Sequence, residues 1–345
     1  MKGSLAFIYG GRGFEREVSL LGADFLLPIT EKIGYGCIPV YITPDGRWTV
    51  KRRGDEFLRP DLYSDGETAG LINLGGRGGL CLGGETVVID CAFPLLHGDF
   101  GEDGVVQGAL ENASIPYVGE GVLGSAFCLD KAYCRAFADG LGIPGAKWLA
   151  PPRSADGKAI AEMISERLRY PLFIKPRSLG SSIGVSTANA PDELDQALKT
   201  ASADFTRRVI IEELVDIDCE LEIGVLRSKG KYLFTKIGKI KNDSGFYSYE
   251  EKYSSRSEAS VSSAADIPTS VKCAIEDYAK KIVASLGVKS LLRIDFFLDK
   301  RGNVYFNEIN TMPGFTSSSL FWRMFSDMGI SPESLLSALV EEAIA

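Results

Sequence analysis

The stretch FIKPRSLGSSIGVST, at residues 173–187, predicts a strand, a loop of glycine and serine, and a second strand. Small residues in such a loop expose backbone N–H groups and hydroxyls, which suit the loop to contact phosphate oxygens. Alone, the loop also fits an ordinary hairpin turn. Lys175 lies directly before it and would supply a positive charge, so the whole stretch favours a phosphate-binding loop between two strands.

The same loop contains GSSIG, residues 180–184, which matches the G-x-S-x-G motif around a hydrolase nucleophile, here Ser182. That motif requires a following helix and a histidine later in the chain. The single histidine, His97, precedes the serine, and the residues after the loop are typical of a strand. A serine hydrolase is therefore a distant alternative. The chain also lacks the G-x-x-x-x-G-K-[ST] motif, which excludes a P-loop nucleotide fold.

The composition is that of a globular protein, with 45% hydrophobic and 24% charged residues in 345. A net charge of −8 argues against a general binder of nucleic acid or of anionic membranes. One histidine excludes sites that need two His ligands. The 7 cysteines are scattered without a C-x-x-C pair, which indicates a reducing compartment. Because neither a signal peptide nor a membrane span is recognisable, we expect a cytoplasmic protein.

Strand and helix patterns alternate through the first third of the chain. The strand SLAFIYGG is followed by a helix to about residue 33, and the strand VVIDCAFPLL is followed by the helix EDGVVQGALENA. Such alternation predicts an α/β fold with a doubly wound parallel sheet that binds ligands at the carboxyl ends of its strands. The polar, glycine-rich residues 51–85 predict a hairpin excursion without a function.

The remaining chain mixes strands and helices. Residues 125–142 predict one helix, and LLRIDFFLD and VYFNEIN predict a hairpin joined by KRGN. A final helix begins with Ser331 as N-cap and Pro332 at its first position. The polar, tyrosine-rich residues 241–258 predict a lid that orders over a bound nucleotide.

Two polar residues follow predicted strands of the first third. Glu15 opens a helix after Gly10-Gly11-Arg12-Gly13, and it fits either a complement to the helix dipole or a ligand for a substrate ammonium. Spacing leaves both open. His97 begins HGDFGEDG after a buried strand, where it fits either a structural histidine or a residue lining the ligand crevice.

The predicted hairpin carries polar side chains among Leu, Ile, Phe and Val. Residues two apart on a strand share a face. Arg293 and Asp295 therefore lie on one face of their strand, and Glu308 and Asn310 lie on one face of theirs. A sheet face with exposed salt bridges is one interpretation. The other is a magnesium site, because two carboxylates and an amide offer the hard oxygen ligands that Mg²⁺ takes beside nucleotide phosphates.

Six motifs occur in order along the chain: EREVS, LHGDFGEDG, FIKPRSLGSSIGVS, FYSYEEKY, RIDFFLD and NEINTMPGFTSSS. Together they resemble the D-alanine–D-alanine ligases of the ATP-grasp superfamily, over essentially the whole chain. The resemblance implies an N-terminal α/β domain (1–122) followed by a two-domain ATP-grasp fold that is α+β in character. Its parts would be a central domain (123–213) and a C-terminal catalytic domain (214–345), with ATP held between them.

The resemblance also implies the reaction, which is the ATP-dependent ligation of two D-alanines for peptidoglycan synthesis. The carboxylate of the first D-alanine takes the γ-phosphoryl group of ATP, and the amine of the second then displaces phosphate. This chemistry needs positioning and charge neutralisation more than a protein nucleophile. Two Mg²⁺ or Mn²⁺ ions and a homodimer are implied, with small molecules rather than nucleic acid or membrane as partners.

Carried over residue by residue, the resemblance assigns site roles. The first D-alanine is bound by Glu15 and His97, and the triad that joins the domains is Glu15, Ser181 and Tyr253. The ATP-binding residues are Lys131, Lys175, Ser182, Glu212, Glu213, Leu214 and Glu220. The metal ligands are Asp295, Glu308 and Asn310. The oxyanion is stabilised by Arg293 and the backbone of Gly314, and the second amino acid is received by Lys252, Ser319 and Leu320.

Three features depart from the family pattern. Leu214 stands where the family has an aromatic residue, and the stretch from Glu212 to Glu220 is one residue longer. FYSYEEKY also differs from the usual residues around Tyr253. That tyrosine argues against a relative that uses D-lactate, whereas D-serine as the second substrate stays the alternative.

Overall fold

The computed structural model describes residues 2–53, 56–58, 66–203, 208–241 and 260–345. The predicted lid, except for its first residue, lies outside the described residues, and so do Lys252 and Tyr253. The described strands form three sheets. No helix in the described ranges is long and apolar enough to cross a membrane.

The first sheet has eight strands: β1 (Ser4–Gly10), β2 (Gly36–Ile42), β3 (Trp48–Arg53), β4 (Glu56–Leu58), β5 (Glu67–Asn73), β6 (Gly78–Leu82), β7 (Glu85–Val88) and β8 (Cys91–Pro94). Their order is β7-β6-β5-β3-β2-β1-β8, with β4 beside β3. β1 lies between β2 and β8 and is parallel to both, which confirms the predicted α/β fold.

The other strands of this sheet are antiparallel. The stretch expected to be a hairpin excursion therefore extends the sheet, and it contains hairpin turns at Gly75-Gly76 and Gly83-Gly84. These strands pair antiparallel because short turns join them, whereas a parallel pairing needs a crossover of a dozen or more residues.

The second and third sheets are antiparallel throughout. The second has the order β11-β10-β12-β9 and consists of β9 (Trp148–Leu149), β10 (Leu172–Pro176), β11 (Ser186–Ala188) and β12 (Val209–Glu213). The third has the order β15-β14-β13-β16-β17 and consists of β13 (Ile217–Ser228), β14 (Lys231–Lys241), β15 (Ser260–Ser262), β16 (Leu291–Asp299) and β17 (Val304–Asn310). β16 and β17 form the predicted polar hairpin.

Helices cover these sheets. They are α1 (Arg16–Lys32), α2 (Val105–Asn112), α3 (Val122–Leu129), α4 (Lys131–Gly140), α5 (Gly157–Arg167), α6 (Leu194–Ser202), α7 (Thr269–Leu286), α8 (Leu320–Ser326) and α9 (Pro332–Ile344). A 3₁₀ turn spans Pro191–Glu193. As predicted, the side chain of Ser331 caps α9, where it accepts the Ser334 N–H at 3.2 Å.

The prediction of a single helix over residues 125–142 is wrong, because the helical conformation is interrupted between α3 and α4. Asp130 has an extended backbone there, and its carboxylate accepts the N–H groups of Ala132 and Tyr133. An aspartate at this position stabilises a new helix start better than it stabilises a helix interior. Lys131 thereby becomes the first residue of α4.

The core joins the two ends of the chain. Phe93 on β8 stacks on Phe7 at 5.3 Å between ring centroids, and Phe315 contacts Phe93 at 5.9 Å. Phe315 in turn contacts Phe321 of α8. This row of buried rings fixes the loop after β17 against the first sheet, so residues far apart in sequence meet beside the carboxyl ends of β1 and β8.

Candidate active site

Two adjoining cavities collect most of the predicted site residues. The first cavity is lined by residues that include Glu15, His97, Arg293, Asn310, Gly314, Ser319 and Leu320. The second cavity is lined by residues that include Phe173, Lys175, Ser182, Glu220, Phe297 and Asn307. Both are bordered by Lys131, Gly180, Ser181 and Glu308, so one continuous site passes between the sheets.

Glu15 joins the first sheet to the glycine–serine loop. It lies at the N-terminal end of α1 without forming a side-chain cap, and its carboxylate accepts a hydrogen bond from Ser181 Oγ. A Cβ at position 180 would lie 2.7 Å from Glu15 Oε2. The loop therefore needs glycine at 180 for this close approach, and the Glu15 carboxylate is directed towards the cavity rather than towards its own helix.

The glycine–serine loop has an unusual backbone. Ser181 and Ser182 both have positive φ angles, 50° and 61°, and Gly184 follows at 72°. Non-glycine residues in this region are strained and cluster at functional sites, and turns of this kind present successive N–H groups to anions. The loop leads into strand β11, whereas a hydrolase elbow leads into a helix. The hydrolase alternative is therefore wrong.

His97 lies on the floor of the first cavity, 8% exposed. Its Nδ1 donates to the carbonyl of Met312 at 3.1 Å, and its buried Nε2 has no hydrogen-bond partner among the described residues. Burial lowers the pKa of His97 more than the nearby Glu15 raises it, which keeps the ring neutral. A neutral imidazole here lines the cavity next to Glu15 without adding charge.

Glu102 is a site residue that the sequence analysis missed. Its carboxylate accepts the N–H of Gly98 at 3.0 Å and the N–H of Met312 at 2.9 Å. Burial raises its pKa to about 7 despite these hydrogen bonds. Glu102 and His97 thus bind the two backbone polar groups of Met312, its N–H and its carbonyl. The available signal was the second acidic residue of HGDFGEDG, whose partner lies 210 residues away.

The polar hairpin faces the first cavity from the third sheet. Arg293 lies opposite Asn310, and Asp295 opposite Glu308. The guanidinium of Arg293 grips Asp295 with two bonds of 2.8 and 2.7 Å, and Asn310 Nδ2 donates to Asp295 at 2.9 Å. Arg293 is also 3.5 Å from Glu222, another residue that the sequence analysis missed.

These contacts set the charge of Arg293. Burial disfavours the charged guanidinium, but Asp295 and Glu222 outweigh it and hold the pKa of Arg293 well above its ordinary value. Glu308 pairs with Lys131 at 3.1 Å. Burial likewise opposes the charge of Lys131, and Glu308 raises its pKa. Both cations are therefore permanently charged and face the cavity.

The donor set fits magnesium. Asp295 and Glu308 lie directly opposite each other, and each is compensated by a cation, as a buried carboxylate pair requires. Within the described ranges, no three His, Cys, Asp or Glu side chains form a metal cluster. An ion here would therefore also use the Asn310 amide and ligand oxygens, which is the usual environment of Mg²⁺ beside phosphates.

Lys175 belongs to a buried ion cluster at the second cavity. Its Nζ lies 2.8 Å from Glu212 Oε2, and Arg135 Nη2 lies 2.6 Å from Glu212 Oε1. Burial would raise the pKa of Glu212, but Lys175 and Arg135 together lower it to about 2. Glu212 is 4% exposed and does not itself line the second cavity.

The two residues after Glu212, the last residue of β12 and the one that follows it, face elsewhere. Because side chains alternate along a strand, Glu213 points away from Glu212, accepts the N–H of Arg169 at 3.0 Å and lies 3.8 Å from Lys147. Leu214 is 42% exposed and borders an outer cavity with Glu213. The structure therefore does not bring Glu213 and Leu214 to the second cavity.

Glu220 does line the second cavity, from β13. Between Ile217 and Cys219 the pairing of β13 with β16 shifts by one residue. Such a bulge accommodates one extra residue without disturbing the pairing that follows. It lies in the stretch that is one residue longer than expected, and Glu220 keeps a place facing the cavity.

The loop after β17 completes the first cavity. Ser319 Oγ accepts the Thr316 N–H at 2.9 Å, and a Cβ at Gly314 would lie 3.1 Å from Ser319 Oγ. Leu320 is 7% exposed and faces the cavity beside Ile240. The loop thus presents a hydroxyl, a small turn and an apolar side chain to the first cavity.

Comparisons with known proteins agree with this geometry. The family model "D-ala D-ala ligase N-terminus" matches residues 4–120, and "D-ala D-ala ligase C-terminus" matches residues 137–341. The D-alanine–D-alanine ligase of Deinococcus radiodurans is 36% identical, covering 100% of this chain and 99% of its own length. That of Geobacillus thermodenitrificans is 34% identical, covering 100% and 96%.

Solved structures are similar over the whole chain. D-alanyl-alanine synthetase A of Vibrio cholerae has a TM-score of 0.85 at 29% identity, covering 99% of this chain and 98% of its own. The VanG D-Ala:D-Ser ligase of Enterococcus faecalis has a TM-score of 0.84 at 30% identity, covering 99% and 100%.

Proposed function

The chain belongs to the D-alanine–D-alanine ligase family and is an ATP-dependent ligase that joins two D-alanines for peptidoglycan synthesis; we propose that the two cavities divide this work. The second cavity binds ATP and the first binds the amino acids. The observation that carries this proposal is their shared border at Ser181, Lys131 and Glu308. At this border Ser181 of the glycine–serine loop donates a hydrogen bond to Glu15, and this contact supports a role for the loop at the phosphates and for Glu15 at an amino group.

The second cavity suits a nucleotide. Phe173 and Phe297 provide apolar walls for a base, while Lys131, Lys175 and Ser182 provide charge and hydroxyl for the phosphates. Glu220 offers an acceptor for the ribose, and Glu212 acts as the buried partner of Lys175. Glu213 ends the same strand and Leu214 follows it, and both would contribute through their backbone at most.

Metal ions belong to the same proposal. Asp295, Glu308 and Asn310 would hold two Mg²⁺ or Mn²⁺ ions, which supply positive charge to the phosphates when bound. The residues themselves stay in place through the pairing of β16 with β17. Arg293 is oriented by Asp295 and is available to an oxyanion.

The first cavity orders the two amino acids. Glu15 binds the ammonium of the first D-alanine beside neutral His97. The carboxylate of that D-alanine is then free to form a bond to the γ-phosphorus of ATP as the bond between this phosphorus and the ADP oxygen breaks. The second D-alanine, at Ser319 and Leu320, then gives up one ammonium proton to solvent, and its nitrogen bonds to the acyl carbon while a second proton passes to the phosphate. Phosphate leaves, and Arg293 with the Gly314 backbone stabilises the oxyanion formed on the way.

The experiment is direct. Purified protein with ATP, Mg²⁺ and D-alanine should release phosphate and form the dipeptide in equal amounts. Omission of D-alanine is the control for simple ATP hydrolysis. Folded protein that releases no phosphate and forms no dipeptide would contradict the proposal.

A D-alanine–D-serine ligase is the second candidate, and the similarity to the VanG D-Ala:D-Ser ligase favours it. The two substrates differ by one hydroxyl group, and a site discriminates such a pair by the hydrogen bonds it offers that hydroxyl. Competition of D-serine with D-alanine in one reaction separates the candidates. A product that is mainly the mixed dipeptide would replace the D-alanine assignment.

Further features of the chain belong to this proposal. The domains would be 1–122, 123–213 and 214–345, although α9 packs on α1 and β8 as well as on β13 of the third sheet and so ties the first domain to the last. The proposed lid, residues 241–258 with Lys252 and Tyr253, lies outside the described residues except for its first residue. We also propose a homodimer acting in the cytoplasm, which light scattering on purified protein and fractionation of cells would test.

A further inference from the structure

Arg135 is a buried cation that lines neither cavity. It lies one turn after Lys131 on α4, and its side chain is 2% exposed. Its Nη2 contacts Glu212 on β12, and its Nη1 donates to the carbonyl of Phe306 on β17. Burying an arginine is costly unless its charge is paired and its donors find acceptors. The second sheet supplies the Glu212 carboxylate and the third sheet the Phe306 carbonyl, whereas Nε has no hydrogen-bond partner among the described residues.

The surrounding backbone makes room for this guanidinium. A Cβ at Gly145 would collide with Arg135 Nη1 and lie 2.8 Å from Cζ. Gly145 forms a bridge with Phe306, whose N–H donates to the carbonyl of Pro144 at 2.7 Å. The absence of a side chain at 145 is therefore what allows Arg135 to reach Glu212.

The cluster of Arg135, Glu212 and Lys175 has two cations and one anion. Arg135 takes Oε1 of Glu212, and Lys175 takes Oε2 at 2.8 Å. The carboxylate thus compensates only one of the two positive charges, and the cluster as a whole carries one net positive charge. Lys175 is the member that borders the second cavity. If Arg135 were absent, the pair of Glu212 and Lys175 would be neutral.

We propose that Arg135 is a positioning residue for nucleotide binding: by engaging half of Glu212, it leaves Lys175 with uncompensated charge for the nucleotide phosphates. This inference rests on the proposed function, which places ATP in the second cavity. Arg135 acts through Glu212 and does not itself touch the nucleotide. Its contribution therefore increases with the number of phosphates on the ligand.

The test measures the affinity of Arg135→Met for AMP, ADP and ATP by calorimetry, together with the KM for ATP and for D-alanine. We expect ATP to bind on the order of tenfold more weakly, as one unit charge acting over ~10 Å would give. ADP should lose less, AMP should lose little, and the KM for D-alanine should not change. An equal loss for all three nucleotides would overturn the inference, because it would indicate a general structural role.

Two companion variants keep the charge. Arg135→Lys retains a cation and should bind ATP nearly as the unmodified chain does, so a tenfold loss in this variant would also overturn the inference. If Arg135→Met does not fold, Gly145→Ala takes its place, because it displaces the guanidinium and should give the same dependence on phosphate number. Arg227→Met removes a distant arginine that pairs with Glu342 and is the control for net charge.

Lys175→Met separates this inference from the proposed function. If Lys175→Met leaves ATP affinity unchanged, the second cavity is not the phosphate site, and the proposed function loses its nucleotide assignment. If Lys175→Met weakens ATP binding while Arg135→Met does not, the nucleotide assignment stands and the role of Arg135 is refuted.

Discussion

Glu102→Gln tests the buried carboxylate that connects the loop after β8 with the loop after β17. Burial raises the pKa of Glu102 from the ordinary 4.5 to about 7. Between these values the folded chain binds more protons at this site than the unfolded chain, so the free energy of unfolding falls as the pH rises. The gap between 4.5 and about 7 corresponds to about 3 kcal/mol of stability, present below the lower value and lost above the upper one.

The assay is urea unfolding of the unmodified chain and of Glu102→Gln between about pH 4.5 and about pH 8. Glutamine does not titrate, so the unmodified chain should lose about 3 kcal/mol relative to the variant across this range. At the acidic end the variant should be the less stable chain by about 1–3 kcal/mol, because one amide oxygen replaces two acceptors that serve Gly98, Thr311 and Met312.

The control is Glu162→Gln on the exposed face of α5, which changes the same chemical group without a buried partner. Its stability should follow that of the unmodified chain at every pH. Parallel profiles for the unmodified chain and Glu102→Gln would refute the reasoning, since they would mean that Glu102 titrates alike in the folded and unfolded states.

Three further predictions concern the site and its scaffold. Arg293→Ala should lower kcat by about 10²-fold, which corresponds to about 3 kcal/mol of lost transition-state stabilisation, with little change in the KM for ATP. Near-normal turnover would contradict the oxyanion role of Arg293. Gly180→Ala should raise the KM of the first D-alanine, because its Cβ would displace Glu15, whereas Gly140→Ala, with open space around it, should not. Asp130→Ala should lower the melting temperature through about 1–2 kcal/mol of lost capping, and Asp130→Ser should restore part of it.

Local sequence patterns predicted several elements correctly. The hairpin of β16 and β17, the glycine–serine loop and the start of α9 at Ser331 all follow from residues that are neighbours in the chain. The split between α3 and α4 was missed, because the apolar pattern continues through Asp130 and only the capping geometry shows the break. The extension of the first sheet was missed because apolar and polar residues alternate only weakly along its short strands.

The sequence alone established the chemical types at the site and the local elements that carry them, since strand alternation and turn composition depend only on adjacent residues. It also supported the family through six motifs in order. Only the tertiary structure decided which groups meet. Arg135 reaches Glu212 across 77 positions, and Glu102 reaches Met312 across 210. Such partners depend on how three sheets pack, and the free energy of burying a charge, rather than any local pattern, selects them.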